Sequence, residues 1–352
     1  MKKNKFGIAW FLAVVAGGLL AAVCVVVVID PFFQYHAPLK NCNYIIDNQL
    51  SQNPGMAKNF TYDSVILGSS MTVNFNPEVF QDEMGLNAIK LSYNGAYPKD
   101  QDNILKIVET THPDVKAIIL GIDVMSYSAN PEETKYPVPE YLYDNNVFND
   151  VSYWFNKDVW FNYILKPMFS GESTKISDVY YSWPYLTFSR ESALSNYKPP
   201  ASKAAELPYD EYEERVTYNM KNYIIPHIEA SPNATFYVFF PPYSMIYWYD
   251  QIQNGDLEAE MYQYETIIKM LLPYKNVKVF YFQNQYDYIS DLDHYADYYH
   301  YEQGMNDLMV SYFAEGKYQV TADNYLQILS EMKDYIKAYD YSEIADYYKS
   351  NN

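Results

Sequence analysis

Five short apolar runs recur along this 352-residue chain: Ser64–Gly68, Ala88–Ser92, Lys116–Gly121, Thr235–Phe240 and Val277–Phe282. Between them lie longer amphipathic stretches, as in Asp100–Glu109, Tyr209–Ile228 and Leu257–Leu272. Unbroken apolar runs of this length suit strands buried on both faces, and the amphipathic stretches suit helices that cover those faces. The pattern predicts an α/β fold: a doubly wound sheet of five parallel strands in a three-layer α/β/α arrangement, with ligand sites at the carboxyl ends of the strands.

The start of the chain adds a second constraint. After MKKNK, residues Phe6–Ile29 carry no charge. At helical rise 24 residues reach roughly 36 Å, enough to cross a bilayer with some tilt. The apolar stretch is longer than a signal-peptide core, and Val23 before Cys24 makes a poor lipoprotein cleavage site, so an uncleaved single-pass anchor over 6–29 is predicted. Lys2, Lys3 and Lys5 precede the span and Asp30 follows it. The positive-inside rule then makes residues 1–5 a cytoplasmic stub and puts the bulk of the chain on the extracytoplasmic side.

The remaining segments divide by composition. Residues 30–60, with Pro31, Pro38, Asn41, Asn43 and Pro54, read as an irregular linker that packs on the domain, and residues 61–314 read as the domain itself. Within it, 125–207 is too long for a plain loop and holds Trp154, Trp160 and Trp183 without a clear period. A helical insertion is predicted there, serving either as a lid or substrate wall or as a packing extension. Residues 315–352 form a helical extension, in which Tyr325, Leu329, Met332, Ile336 and Tyr339 share one face after an N-cap at Thr321.

A formal charge of −19 argues against nucleic acid or an anionic surface as a partner held by net electrostatics. The two cysteines, Cys24 in the span and Cys42 outside it, are not expected to pair, and no Cys-x-x-Cys or His-x-x-x-His spacing offers a metal site. The 41 tyrosines present flat area with a polar tip, which suits carbohydrate-like surfaces and also serves as solvent-tolerant packing.

Chemistry concentrates in two places. Tyr62–Asn76 reads as a buried strand that breaks at Gly68 and presents Ser69 and Ser70 in a polar turn, before a helix begins at Pro77. A serine nucleophile needs a base, and the chain has five histidines. His36, His112 and His227 sit in the linker or at helix ends and read as surface or capping residues. In SDLDHYADYYHYEQG, both Asp291–His294 and Asp297–His300 place a carboxylate three residues before an imidazole, close enough to fix its tautomer and leave the other nitrogen for a serine. Spacing leaves both pairs open.

Gly68-Ser69-Ser70 near one end of the domain and Asp297-x-x-His300 near the other resemble the SGNH/GDSL hydrolase superfamily over roughly Ser64–Leu308. The family's first block, Gly-Asp-Ser, stands here as GSSMT. Ser70 aligns with the nucleophile, and Ser69 replaces the aspartate, a Gly-Ser-Ser variant similar to that of membrane-anchored proteins of D-alanyl-lipoteichoic acid biosynthesis. The resemblance implies a five-stranded flavodoxin-like sheet and a triad of Ser70, His300 and Asp297, since DYYHY before a helix start matches the last block. His294 is the alternative base. It also implies an oxyanion hole from the N–H groups of Ser70 and Gly95, the latter in SYNGAYP.

The third block departs from the pattern. Gly121-Ile122-Asp123 stands where the family has an asparagine donor. An ionised Asp123 cannot donate to an oxyanion and would repel it, so either Asn94 supplies the donor or the hole is reduced, as in a slow or specialised enzyme. The implied function is an extracytoplasmic serine esterase or O-acyltransferase in a bacterial cell membrane. It would act on an acyl ester of a cell-envelope glycan, teichoic acid or exopolysaccharide, without metal or organic cofactor. The alternative is a non-catalytic envelope protein that keeps the fold to bind glycan or an assembly partner. A third reading makes the chain an assembly subunit whose anchor and terminal helix dock a membrane acyltransferase.

Overall fold

The computed structural model describes residues 2–175, 179 and 186–351. The chain divides into two compact units. The larger draws on Tyr62–Pro137 and Tyr180–Asn352, the smaller on Met1–Thr61 and Val138–Val179.

One six-stranded sheet organises the larger unit, in the order β2-β1-β3-β4-β5-β6. Its strands are β1 (Ser64–Leu67), β2 (Ala88–Lys90), β3 (Ala117–Gly121), β4 (Thr235–Phe240), β5 (Val277–Tyr281) and β6 (Gln319–Val320). The first five pair in parallel. Val65 lies between Ile89 on one side and Ile118 on the other, and every residue of β1 and β3 is buried. Burial on both faces explains why these strands read as unbroken apolar runs. The sheet exceeds the expected five strands by β6, which pairs antiparallel to β5 through Val279 and Val320. A two-residue strand leaves no periodic signal.

The helices Pro98–Thr111 and Leu257–Leu271 lie where the amphipathic pattern puts them. The single helix expected over Tyr209–Ile228 is instead Glu213–Asn219, a π-helical segment Met220–Ile224 and a further helix Ile225–Ala230. Pro226 has no N–H to donate and its ring crowds the carbonyl four residues back, so the preceding turn widens. Near the carboxyl end the helix is Tyr325–Ala338, one turn later than expected. Thr321 does not cap it; its own N–H donates to Asn324 Oδ1 at 2.7 Å. Leu329, Met332 and Ile336 are buried, and Lys333 and Lys337 each reach Glu258 at 2.7 Å, fastening this helix to the Leu257–Leu271 helix.

His227 is not a surface residue. It is 3% exposed, with Nδ1 2.6 Å from Glu109 Oε1 and Nε2 3.0 Å from Asp102 Oδ1. Asp102 and Glu109 are two turns apart on the Pro98–Thr111 helix and so share a face. Burial pulls the imidazole's pKa down, but hydrogen bonds and charge from the two carboxylates outweigh it and leave the pKa above its ordinary value.

In the smaller unit, the first helix runs Lys2–Ile29, and its Gly7–Ile29 portion is long and apolar enough to cross a membrane. Asp30, at φ +48°, ends it. Its carboxylate accepts from the N–H groups of Gln34 (2.9 Å), Tyr35 (2.7 Å) and His36 (3.0 Å) and from the Tyr153 hydroxyl (2.9 Å). The following segment is less irregular than expected, because Gln49–Asn59 is helical despite Pro54 and Gly55. Pro54 leaves the Leu50 carbonyl without its helical donor, and the Tyr143 hydroxyl donates to that carbonyl instead, at 2.9 Å. At Gly55 an added Cβ would sit 1.9 Å from the Phe32 carbonyl oxygen, so only glycine allows this approach. Of the three insertion tryptophans, Trp154 and Trp160 pack against the core of this unit. Trp183 lies outside the described residues.

Candidate active site

The carboxyl ends of β1 and β3 form the point where strand order reverses, with β2 on one side and β4 on the other. Crevices at such switch points bind ligands in open α/β sheets. Gly68 leaves β1 at φ +144°, and a Cβ there would lie 2.6 Å from Thr72 Cγ2 and 3.2 Å from the Gly121 carbonyl oxygen. A side chain at Gly68 would force β1 and β3 apart at this end. Ser69 then caps the short 3-10 turn Ser70–Thr72, its Oγ accepting from the Met71 N–H at 3.2 Å. The Thr72 hydroxyl lies 2.9 Å from the Ser69 carbonyl and 2.8 Å from the Ser92 hydroxyl, tying the turn to the segment after β2. Ser69 is thereby buried and Ser70 half-exposed.

Ser70 Oγ lies 2.9 Å from His300 Nε2, across 230 residues of sequence. His300 Nδ1 is 2.6 Å from Asp297 Oδ2. Asp297 Oδ1 accepts from the N–H groups of Tyr299 (3.0 Å) and His300 (2.7 Å). Burial pushes this carboxyl's pKa up, but the His300 hydrogen bond and charge and the two N–H donors outweigh it, leaving the group below the usual aspartate range. An ionised Asp297 is acceptor-only, which puts the imidazole proton on Nδ1 and leaves Nε2 to accept from the Ser70 hydroxyl. The loop is fixed from below: the Tyr295 hydroxyl donates to the Pro242 carbonyl (2.7 Å), and Asn306 Nδ2 donates to the Met71 carbonyl (3.1 Å).

His294, the other candidate base, is engaged differently. Its Nδ1 is 2.6 Å from Glu302 Oε1, its ring stacks on Tyr288 at 4.5 Å, and it lines a separate hollow with Tyr286, Asp287 and Tyr312.

Ser70 opens into a cavity of about 300 Å³ lined by Ser69, Met71, Gly95–Tyr97, Asp123, Met125, Ser126, Lys135 and Tyr299. Gly95, at φ +68°, is on its wall. Among the described residues, the backbone N–H groups of Ser70 and Gly95 donate to no protein acceptor. Asn94 is exposed and lies outside the lining. Asp123 follows β3, is 8% exposed, and accepts a short hydrogen bond from the Tyr243 hydroxyl. Burial raises the Asp123 pKa above the usual range, against hydrogen bonds from Ser69 and Tyr243 and the charge of His300. Burial of this kind works towards the protonated form, which unlike the anion can donate a hydrogen bond.

Lys135, Tyr243 and Tyr299 had no sequence signal. Asp100 Oδ2, at the start of the Pro98–Thr111 helix, accepts from the Lys135 N–H at 2.9 Å and holds that loop. The Lys135 ammonium lies 3.0 Å from where a Gly95 Cβ would be, so the lysine side chain crosses over the glycine.

No protein-family model matches the chain, and no curated protein or solved structure matches it significantly.

Proposed function

We infer that the chain is an acyl-transferring serine enzyme of the SGNH/GDSL type. The observation that carries this reading is the continuous hydrogen-bonded series Ser70–His300–Asp297 at the mouth of a cavity. His300 Nε2 takes the Ser70 proton as Oγ attacks an ester carbonyl, and returns it to the departing alkoxide, leaving an acyl-serine. Water or a sugar hydroxyl then gives its proton to the same nitrogen and takes the acyl group, restoring Ser70. Asp297 stays ionised and holds Nδ1–H throughout. The unpartnered N–H groups of Ser70 and Gly95 serve the oxyanion.

The membrane-compatible first helix supports an anchored enzyme acting on an ester of a cell-envelope polymer, and Lys135 beside Gly95 puts one cation on the wall of the cavity. In this reading the bulk of the chain is extracytoplasmic. A fluorophosphonate reagent should label the full chain at Ser70, read by peptide mass spectrometry; a folded preparation that stays unlabelled would overturn the enzyme reading.

In this reading Asp123, whose carboxyl burial holds above the usual aspartate range, stands in place of the family's amide donor. Asp123→Asn should then retain activity, read as kcat/KM for ester hydrolysis by the full chain. If the carboxyl were needed as an anion, the same variant would instead lose about 10²-fold or more at all pH values, the scale of losing one group at an oxyanion.

A further inference from the structure

The smaller unit exposes large apolar side chains over residues 147–169: Phe148 is 88% exposed, Phe169 80%, Phe161 66% and Met168 60%. A surface meant for water does not group such rings. The buried side of the same segments explains them. Val26, in the last turn of the apolar first helix, is fully buried in a cluster with Tyr153, Val159 and Ile164. Ile29, the last residue of that helix, packs on the cluster too. Phe148 is in the 3-10 turn Val147–Asn149, which comes before the short helix Val151–Trp154 that carries Tyr153, and Phe161 belongs to the π-helical segment Val159–Leu165 that carries Val159 and Ile164.

Phe161 is therefore on a segment packed against the final turn of the first helix, Phe148 lies just before the other such segment, and Phe169 is on the short helix Lys166–Ser170 that continues from the π-helical segment. The 23 residues Gly7–Ile29 rise about 34 Å, so when the ~30 Å hydrocarbon layer is spanned the last turn lies at the headgroup boundary. Elements packed around that turn sit at the same depth. Side chains of this character are what that depth selects, with Trp154 and Trp160 bonded through their ring N–H groups to the Tyr35 hydroxyl and the Trp154 carbonyl, both at 2.8 Å.

We propose that residues 147–169 form a collar that inserts Phe148, Phe161 and Phe169 into the lipid interface of the leaflet from which the first helix emerges. The proposal rests on the anchored reading of that helix. The occupant is lipid because the collar is continuous with the helix that lipid surrounds. The collar holds the unit at a set depth, where a bare helix would leave it free to tilt.

The experiment uses the full chain with Cys24→Ser and Cys42→Ser, carrying an environment-sensitive dye at Phe148→Cys, Phe161→Cys, Phe169→Cys or, within the helix, Leu12→Cys. Each is reconstituted without other proteins in vesicles of ordinary phosphatidylcholine or of phosphatidylcholine brominated near the headgroup end of its chains. The exposed positions make no core contact, and circular dichroism checks that each variant keeps the wild-type fold. Brominated lipid is expected to quench all three collar positions at least twofold, along with Leu12. Quenching at Leu12 with none at the collar overturns the lipid collar and assigns the face to a protein partner. No quenching at Leu12 removes the anchor, and the collar with it.

Discussion

On the serine-enzyme reading, replacing Ser70 by alanine is expected to lower kcat for ester cleavage by about 10⁴-fold or more, to the residual level that binding and oxyanion contacts alone supply in serine hydrolases. The variant loses only a hydroxyl from a half-exposed position, so its fold and melting temperature stay as in the wild type. His300→Ala gives a loss of the same order, and the double variant is no worse than either single one, because nucleophile and base act as a unit. Asp297→Asn keeps the loop but donates where Nδ1–H must be accepted, favouring the wrong tautomer; losses of about 10⁴-fold follow from that error in a comparable triad. His294→Ala, whose ring bonds Glu302 and stacks on Tyr288, leaves kcat within about twofold. Ser69→Ala removes a cap and a contact to Asp123 without removing the nucleophile, and activity persists. Hydrolysis of p-nitrophenyl acetate by the full chain in detergent reads all six variants. Activity that survives Ser70→Ala sinks the assignment.

The second large effect is on stability. His227→Ala leaves Asp102 and Glu109 facing an emptied site, and breaking a buried charged pair in this way typically costs 3–5 kcal/mol. Asp102 keeps one cation, Lys106 at 2.6 Å, which places the expected loss at about 3 kcal/mol, the lower end of that range. The sign of the pH dependence follows from the raised native pKa. Below the ordinary histidine value of about 6.5 the imidazolium contributes its full stabilisation, and that contribution fades as pH rises through the native value. The gap in melting temperature between wild type and His227→Ala is therefore widest in mild acid and narrows in alkali. A gap that widens with pH would show that His227 is held neutral.

Legibility in the sequence tracked the range of the interactions. β1 and β3 read correctly because a strand buried on both faces leaves an apolar run in its own residues, and β4 and β5 because their buried carboxyl-terminal halves do the same. Short local patterns narrowed the site to two serines in a glycine turn and two Asp-x-x-His pairs, and only the family resemblance singled out Ser70, Asp297 and His300, which the fold brings together. What was lost depended on distant partners. His227 beside Pro226 looks like a helix-end residue until Asp102 and Glu109, more than a hundred residues earlier, are brought against it. The helix through Pro54 and Gly55 contradicts local propensity and stands because Tyr143 serves the freed carbonyl and Phe32 needs the missing Cβ. Lys135 and Tyr243 belong to no motif, and only the fold brings them to Gly95 and Asp123.

The two outer strands of the sheet bear on how the molecule behaves in company. β2 has three residues and β6 two, and β6 runs against its neighbour. An open sheet invites other chains to extend it, and the invitation grows with the length of unpaired backbone at its border. Here the border offers too few consecutive amides for a neighbour to zip onto.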